Sequence, residues 1–325
     1  FRSGDDKANE GNLVTDQSGK ILRDNIWGTL EQDTFRRDFT INALYYCPTS
    51  GKIEDHNSGI AHIKNKKIVS IGDPMKRFSE DPVRSLRAIR FSNKLSFKID
   101  RDVKSAIYKK GYLLDNISNA RMFDEFCKIF LSGIAEKNFN KLVSFNLNKY
   151  LILTSSSNSH FSQNLIKEAL KNTDKRVKND QSVTPGFLIA AMLWPELLKK
   201  SRGDKEINLR KFFRSMDQIL RNQQKITAIP RKFHSYIKDI WVLQLKLHSR
   251  IGKQPYKTFK HPRFRAAYDF LLIRERASNC QSNLGDWWTK FQKNNSASQK
   301  QQILDLNEVS EENSFKKFGF QEELI

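Results

Sequence analysis

Cysteine is scarce in this chain of 325 residues: Cys47, Cys127 and Cys280 lie far apart, are odd in number and show no CxxC or CxxH spacing. That pattern excludes a disulfide framework and a zinc ribbon, and it suits a reducing, cytoplasmic setting. Long apolar runs are missing as well. The longest, Phe187 to Trp194, has eight residues, far short of the roughly 20 that a membrane span needs, so no membrane partner is expected. The opening stretch FRSGDDKANEGN carries no apolar signal-peptide core and no leading methionine, which points to a missing N-terminal portion. Histidines are few and show no ligand spacing: His56, His160, His234, His248 and His261 read as structural. Acidic residues are outnumbered, 36 Asp plus Glu against 57 Lys plus Arg, a formal charge of +21.

What is present is enough to fold. At roughly 100 to 200 residues per domain the length predicts two or three domains, and 38% hydrophobic residues with 23 Phe supply core area. The surplus charge is concentrated. From Lys199 to Arg265 there are 19 Lys plus Arg against 4 acids, a net of +15. A polyanion is the natural partner of such a stretch, because releasing counterions from phosphates gives sequence-independent affinity; the alternative is solvated helix faces in a lysine-rich protein. Lys199, Lys200, Arg231, Lys232, Arg263 and Arg265 are the candidate RNA-binding cations in it.

Residues 1 to 34 read as an irregular lead-in. INALYYC and KIEDH flank PTSG and predict two short strands joined by a tight turn, with KKIVSIG a third strand. From Ser79 onward the apolar spacing turns helical. Pro82, Pro230 and Pro262 mark helix starts, Pro195 predicts a kink or an end, and Thr154 to Ser159 reads as a linker. From Lys300 onward the chain has 3 basic and 6 acidic residues and no long apolar stripe, so 296–325 reads as a disordered tail. The expected fold class is α+β: a few short strands in 1–78, then all-α segments over 79–150 and 151–295.

Two motifs carry chemistry. In RRDFTINALYY, Arg36 and Arg37 are forked donors suited to phosphates and Asp38 is suited to a metal or a ribose hydroxyl. Asn42, four residues on, would share a helical face with Asp38. The plainer alternative is that Asp38 caps a helix and the arginines are surface cations. In SEDPVRSLRAIRF, Asp81 is a good N-cap ahead of Pro82, and Arg84, Arg87 and Arg90 fall on an arc of about 120° with Leu86 and Ile89 on the adjacent side. Such a stripe is either a solvated face or, with Glu80 and Asp81, a set of donors and acceptors for a nucleobase edge.

In both motifs and in their order the sequence resembles the class II nucleotidyltransferase superfamily of poly(A) polymerases and CCA-adding enzymes. KNTDKRVKNDQSVTPGFLIAAMLW, IPRKFHSYIKDIWVLQLKL and HPRFRAAYDFLLIR are similar to the helical body of the bacterial polyadenylating branch. The resemblance runs from about Ile21 to Phe291. It implies a partial nucleotidyltransferase head over 1–78, a helical neck over 79–150 that binds base and RNA, and a basic RNA-binding body over 151–295. It implies transfer of AMP from ATP to RNA 3′ ends, with Mg²⁺ as cofactor. Asp38 then matches an active-site acid, Arg36, Arg37 and Asn42 match positions lining phosphates and ribose, and Glu80, Asp81, Arg84 and Arg87 lie in the base-reading motif.

Three departures stand out. The superfamily's Gly-rich turn and Asp-x-Asp pair are absent before Asp38, so the chain reads as a fragment or a truncation, inactive alone, with no metal ligands of its own. His62 stands where the family usually carries an acid, and residues 296–325 lack the family's arginine-rich tail. CCA addition to tRNA and RNA binding without catalysis are the competing readings.

Overall fold

The computed structural model describes residues 14–15, 21–23, 29–153, 159–203, 207–278 and 283–310. These fall into two compact units, one running up to Ile117 and including Lys141–Leu147, the other formed by Ser118–Asn140 and the residues from Asn148 onward. No helix among the described residues is long and apolar enough to cross a membrane.

The first unit opens with β1 (Val14–Thr15) paired antiparallel with β2 (Ile21–Arg23). α1 (Leu30–Arg36) follows, begun by a Thr29/Gln32 capping box. The lead-in expected to be irregular up to residue 34 is therefore helical from Leu30; T-x-x-Q is the signal, and Ile26 and Trp27 lie outside the described residues. β3 (Leu44–Tyr46) and β4 (Ile53–Asp55) form the expected antiparallel hairpin. Its turn is closed at Gly51 with φ +68, a conformation glycine adopts without penalty. Next come α2 (Gly59–Lys64), β5 (Lys67–Ile68), α3 (Pro74–Glu80), α4 (Val83–Leu95), β6 (Lys98–Ile99) and α5 (Arg101–Lys110). β5 and β6 pair in parallel.

Helical structure thus begins before Ser79. α3 starts at Asp73, whose carboxylate accepts from the N–H groups of Met75 and Lys76 at 3.1 Å each, and Pro74 takes the first helical position. Phe39, Phe78, Val83, Leu86 and Ile89 are fully buried and form the centre of this unit.

The second unit is helical: α6 (Asn119–Phe130), α8 (His160–Lys178), α9 (Pro185–Ser201), α10 (Leu209–Gln224), α11 (Arg231–His248), α12 (Gln254–Phe259), α13 (Phe264–Ser278), α14 (Leu284–Lys293) and α15 (Ser296–Ser310), while α7 (Ala135–Ser144) contributes to both units. Most of the expected linker, 154–158, lies outside the described residues; Ser159 instead caps α8, accepting from the Ser162 N–H at 3.2 Å.

Pro195 does not end α9, which continues to Ser201. Burial of Trp194, Leu197 and Leu198 outweighs a missing hydrogen bond whose loss costs about 3 kcal/mol. The stretch from 296 to 310 is not a frayed tail. α15 buries Ile303 against Trp287, Trp288 and Phe291, and Gln299 and Gln302 donate to the carbonyls of Phe291 and Trp287 at 2.8 Å. One or two apolar contacts and two amide side chains hold the helix, too sparse a pattern to read as a stripe; 311–325 lie outside the described residues.

Candidate active site and nucleic-acid interface

Asp38 is presented by backbone geometry. Phe39 and Ser70 form an antiparallel bridge, the Thr40 N–H donates to Val69 O at 3.0 Å, and Ile71 N–H donates to Asp38 O at 3.3 Å. This fixes the segment across from α4. Asp38 is in no helix, and Phe39, not Asp38, precedes the 3-10 turn Thr40–Asn42. Neither the shared helical face with Asn42 nor the helix-capping alternative holds, because the strand-like bridge takes the backbone first. Asn42 ends that turn half-buried, with no side-chain hydrogen bond among the described residues.

The Asp38 carboxylate meets two arginines of α4. Arg84 Nε donates to Oδ1 at 2.9 Å and Arg87 Nη1 to Oδ2 at 2.6 Å. Burial alone would raise the Asp38 carboxyl, but the charges and hydrogen bonds of Arg87 and Arg84 hold it below the usual carboxylate range. Glu80 lies 3.5 Å from Arg84 Nη1 and Asp81 lies 3.8 Å from Arg87 Nη1. The expected stripe is therefore not a solvated cationic face: Arg84 is 8% exposed, and Arg90 rests on the Phe91 ring at 4.4 Å. Asp81 accepts from the Val83 N–H at 3.3 Å, while Pro82 occupies the N-cap position of α4, one residue earlier in the helix frame than expected.

Arg77, which carries no motif in the sequence, ties this cluster together. Its Nη2 donates to the carbonyls of Arg36 at 2.9 Å, Arg37 at 3.0 Å and Phe35 at 3.3 Å, and its Nη1 to Glu80 at 3.1 Å. These carbonyls end α1 and have no helical partners of their own. Burial, followed by the neighbouring Arg84, lowers the Arg77 pKa from its ordinary value. Arg84 Nη1 in turn donates to Arg77 O at 2.9 Å. Arg37 projects differently: its Nη2 donates to Asp33 Oδ2 and to the Tyr45 hydroxyl, both at 2.9 Å, and Tyr45 also bonds Asp33. Asp33 lies outside both motifs and Tyr45 is a residue of the first with no assigned role, since an i,i+4 acid on α1 and a strand tyrosine meet only in the fold.

His62, at the position of the family acid, sits with Nδ1 2.9 Å from Thr40 Oγ1. The nearby Asp55 accepts from the N–H groups of Gly59 and Ile60 at 2.8 and 2.9 Å. Burial would raise its carboxyl, and the backbone donors lower it below the ordinary value on balance. Gly59 allows a close approach that a Cβ would block, at 2.5 Å from Thr40 O. Among the described residues no group of three or more His, Cys, Asp or Glu is arranged to hold a metal. Both Asp38 oxygens are taken by arginines, so these residues do not fit a metal site by themselves.

In the second unit, Lys199 and Lys200 occupy the last turn of α9, and Arg231 and Lys232 the first turn of α11. Lys200 lies 3.7 Å from Glu196, and Lys232 is over the Phe233 ring at 5.2 Å. The structure brings Arg263 and Arg265 together in one cleft, along with Arg176 of α8, which lies in the KNTDKRVKND stretch but is not among the candidate cations.

Residues 1–69 match the poly A polymerase head domain, 96–154 the probable RNA and SrmB-binding site of polymerase A, and 205–318 the polymerase A arginine-rich C-terminus. The chain is 38% identical over 306 residues to poly(A) polymerase I of Escherichia coli O6:H1, covering 90% of this chain and 65% of that protein. It is 36% identical over 311 residues to poly(A) polymerase I of Haemophilus influenzae, covering 92% and 68%. The crystal structure of the Bacillus stearothermophilus CCA-adding enzyme in complex with CTP shares the fold, with a TM-score of 0.52 at 23% identity over 82% of this chain and 60% of that one. The head fragment and helical body are thus those of a nucleotidyltransferase. Within that class, the chain belongs to the bacterial poly(A) polymerase I family. It spans about two thirds of the length of the curated relatives it matches. Within the span matched to the arginine-rich C-terminus the arginines run from Arg210 to Arg276, in the body, and 296–325 contain none.

Proposed function

We propose that the protein of which this chain is part adds AMP from ATP to RNA 3′ ends without a template. The supporting observation is similarity of 36–38% to poly(A) polymerases over nine-tenths of the chain, joined to a preorganised Asp38–Arg84–Arg87 cluster. In this reading Arg36 and Arg37 bind phosphates, Arg37 being aimed by Asp33 and Tyr45, while Asn42 lines the ribose. Asp38 carries the active-site acid's place and acts by orienting Arg84 and Arg87. Arg84 spends Nε on Asp38 and Nη1 on Arg77 O, which leaves Nη2 to donate to a base edge beside the accepting Glu80 and Asp81. Lys199, Lys200, Arg231, Lys232, Arg263 and Arg265 hold the RNA through its backbone, as acceptance of many transcripts requires. Magnesium would be the metal of this reading and would supply charge neutralisation of the triphosphate; among the described residues no group is arranged to hold it. The setting is the cytoplasm, in keeping with widely spaced thiols.

An acceptor beside a donor suits adenine and cytosine alike, so nucleotide choice is the discriminating test. The intact enzyme, given a labelled RNA primer and one nucleoside triphosphate at a time, is expected to build long tails from ATP only. Ordered use of CTP and then ATP would instead mean CCA addition. Salt-sensitive RNA binding with no extension from any nucleotide would mean a non-catalytic RNA-binding protein.

A further inference from the structure

A cleft of about 230 Å³ lies within the second unit, lined by the end of α8, the start of α9, Tyr236 of α11 and the start of α13. Arg176, Arg263 and Arg265 line it together. Arg176 is held in place by Nε and Nη2, which donate to Ser182 O at 3.3 and 3.2 Å. Asp269 is the acid of the cleft, shared by Arg265 at 3.1 Å and Arg176 at 3.8 Å. Arg263 has no acid within 4 Å among the described residues and lies over the Tyr236 ring at 4.9 Å. Three guanidiniums against one carboxylate leave two positive charges around a concave space with an arginine over a tyrosine ring on its wall.

From this arrangement we infer that the cleft binds one nucleotide unit of single-stranded RNA, the phosphate between Arg176 and Arg265 and the base on the open face of Arg263. The inference rests on the RNA-directed reading above and deepens it by locating a strand contact. The chemistry is specific. Guanidinium forks match phosphate oxygens, and both aromatic and guanidinium planes stack bases without regard to sequence. A duplex cannot present an unstacked base to such a wall.

The test uses this chain and a 5′-labelled 12-mer oligoadenylate, with affinity read by fluorescence anisotropy across a salt series. Arg263→Ala is expected to weaken binding about tenfold through the lost base stack, and Arg176→Ala to flatten the salt slope by about one phosphate contact. Arg263→Lys should keep the salt slope while recovering only part of the affinity, because charge survives and the planar stack does not. Lys225→Ala, an equal loss of charge at an exposed residue outside the cleft, should change affinity less than twofold. Unchanged affinity in Arg263→Ala and Arg176→Ala, in a chain that still binds the oligonucleotide, would overturn the cleft and leave the RNA reading standing. An equal loss in Lys225→Ala would also overturn it, as bulk charge. Displacement of the oligonucleotide by millimolar AMP would reassign the cleft to a free nucleotide. No oligonucleotide binding by the unmodified chain at low salt would instead remove the RNA reading itself.

Discussion

In the first unit Arg84 is 8% exposed, shares Asp38 with Arg87 and has Glu80 beside it; in the second, Arg263 is exposed, rests on a tyrosine ring and has no acid within 4 Å among the described residues. One residue type thus serves two physical ends. Paired and buried, a guanidinium is fixed in direction and contributes geometry at the expense of free charge. Stacked and open, it keeps its charge for a phosphate and adds a flat surface for a base.

The comparison is broken most severely at Asp38. Asp38→Asn is expected to lower RNA extension by the intact enzyme at least 100-fold while leaving RNA affinity within twofold, since the body's charge is untouched; equal extension would remove Asp38 from the site. Losing this pair should also lower stability by about 2 kcal/mol. The depressed Asp38 carboxyl stabilises the fold at pH values above the ordinary carboxylate range, and that share is lost as pH falls below about 4. Denaturation of Asp38→Asn should accordingly have a shallower acid limb than the parent.

A tenfold effect is expected from Arg84→Ala on the ratio of ATP to CTP use, measured by single-nucleotide extension; an unchanged ratio would count against base reading there. In the second unit the corresponding probe is His248. Burial, helped by Arg274 and Arg250, pushes its pKa down to about 3. A neutral folded histidine facing a protonated unfolded one means stability falls as pH drops from about 6.5, by up to about 1.4 kcal/mol per unit. Thermal melts between pH 7 and 4.5 should show this slope, and His248→Asn should reduce it. The smallest effect belongs to the exposed lysines: Lys199→Ala with Lys200→Ala should weaken oligonucleotide binding about two- to threefold and reduce the salt slope.

The helical body, the hairpin around Gly51 and the two motifs were legible because each depends on neighbours in sequence. Periodicity, turn residues and a proline after an acid speak for themselves. α1 and α3 carried local signals too, in Thr29/Gln32 and Asp73/Pro74, weaker because each helix has only seven residues. Arg77 and Asp33 had no such signal, and Tyr45 and Arg176, though inside the family-like stretches, had none for the contacts they make. Their roles depend on carbonyls and side chains that are distant in sequence or meaningful only when a second element arrives.

Composition, spacing and motif order alone determined a basic, mainly helical chain with the residues of a nucleotidyltransferase head and an RNA-directed body. Only the tertiary structure decided which arginines are spent and which are free. Helical spacing places Arg84 and Arg87 on one face but cannot say whether that face meets water or Asp38, 46 and 49 residues away. Charge is a property of the residue, whereas its availability depends on what the folded chain packs against it.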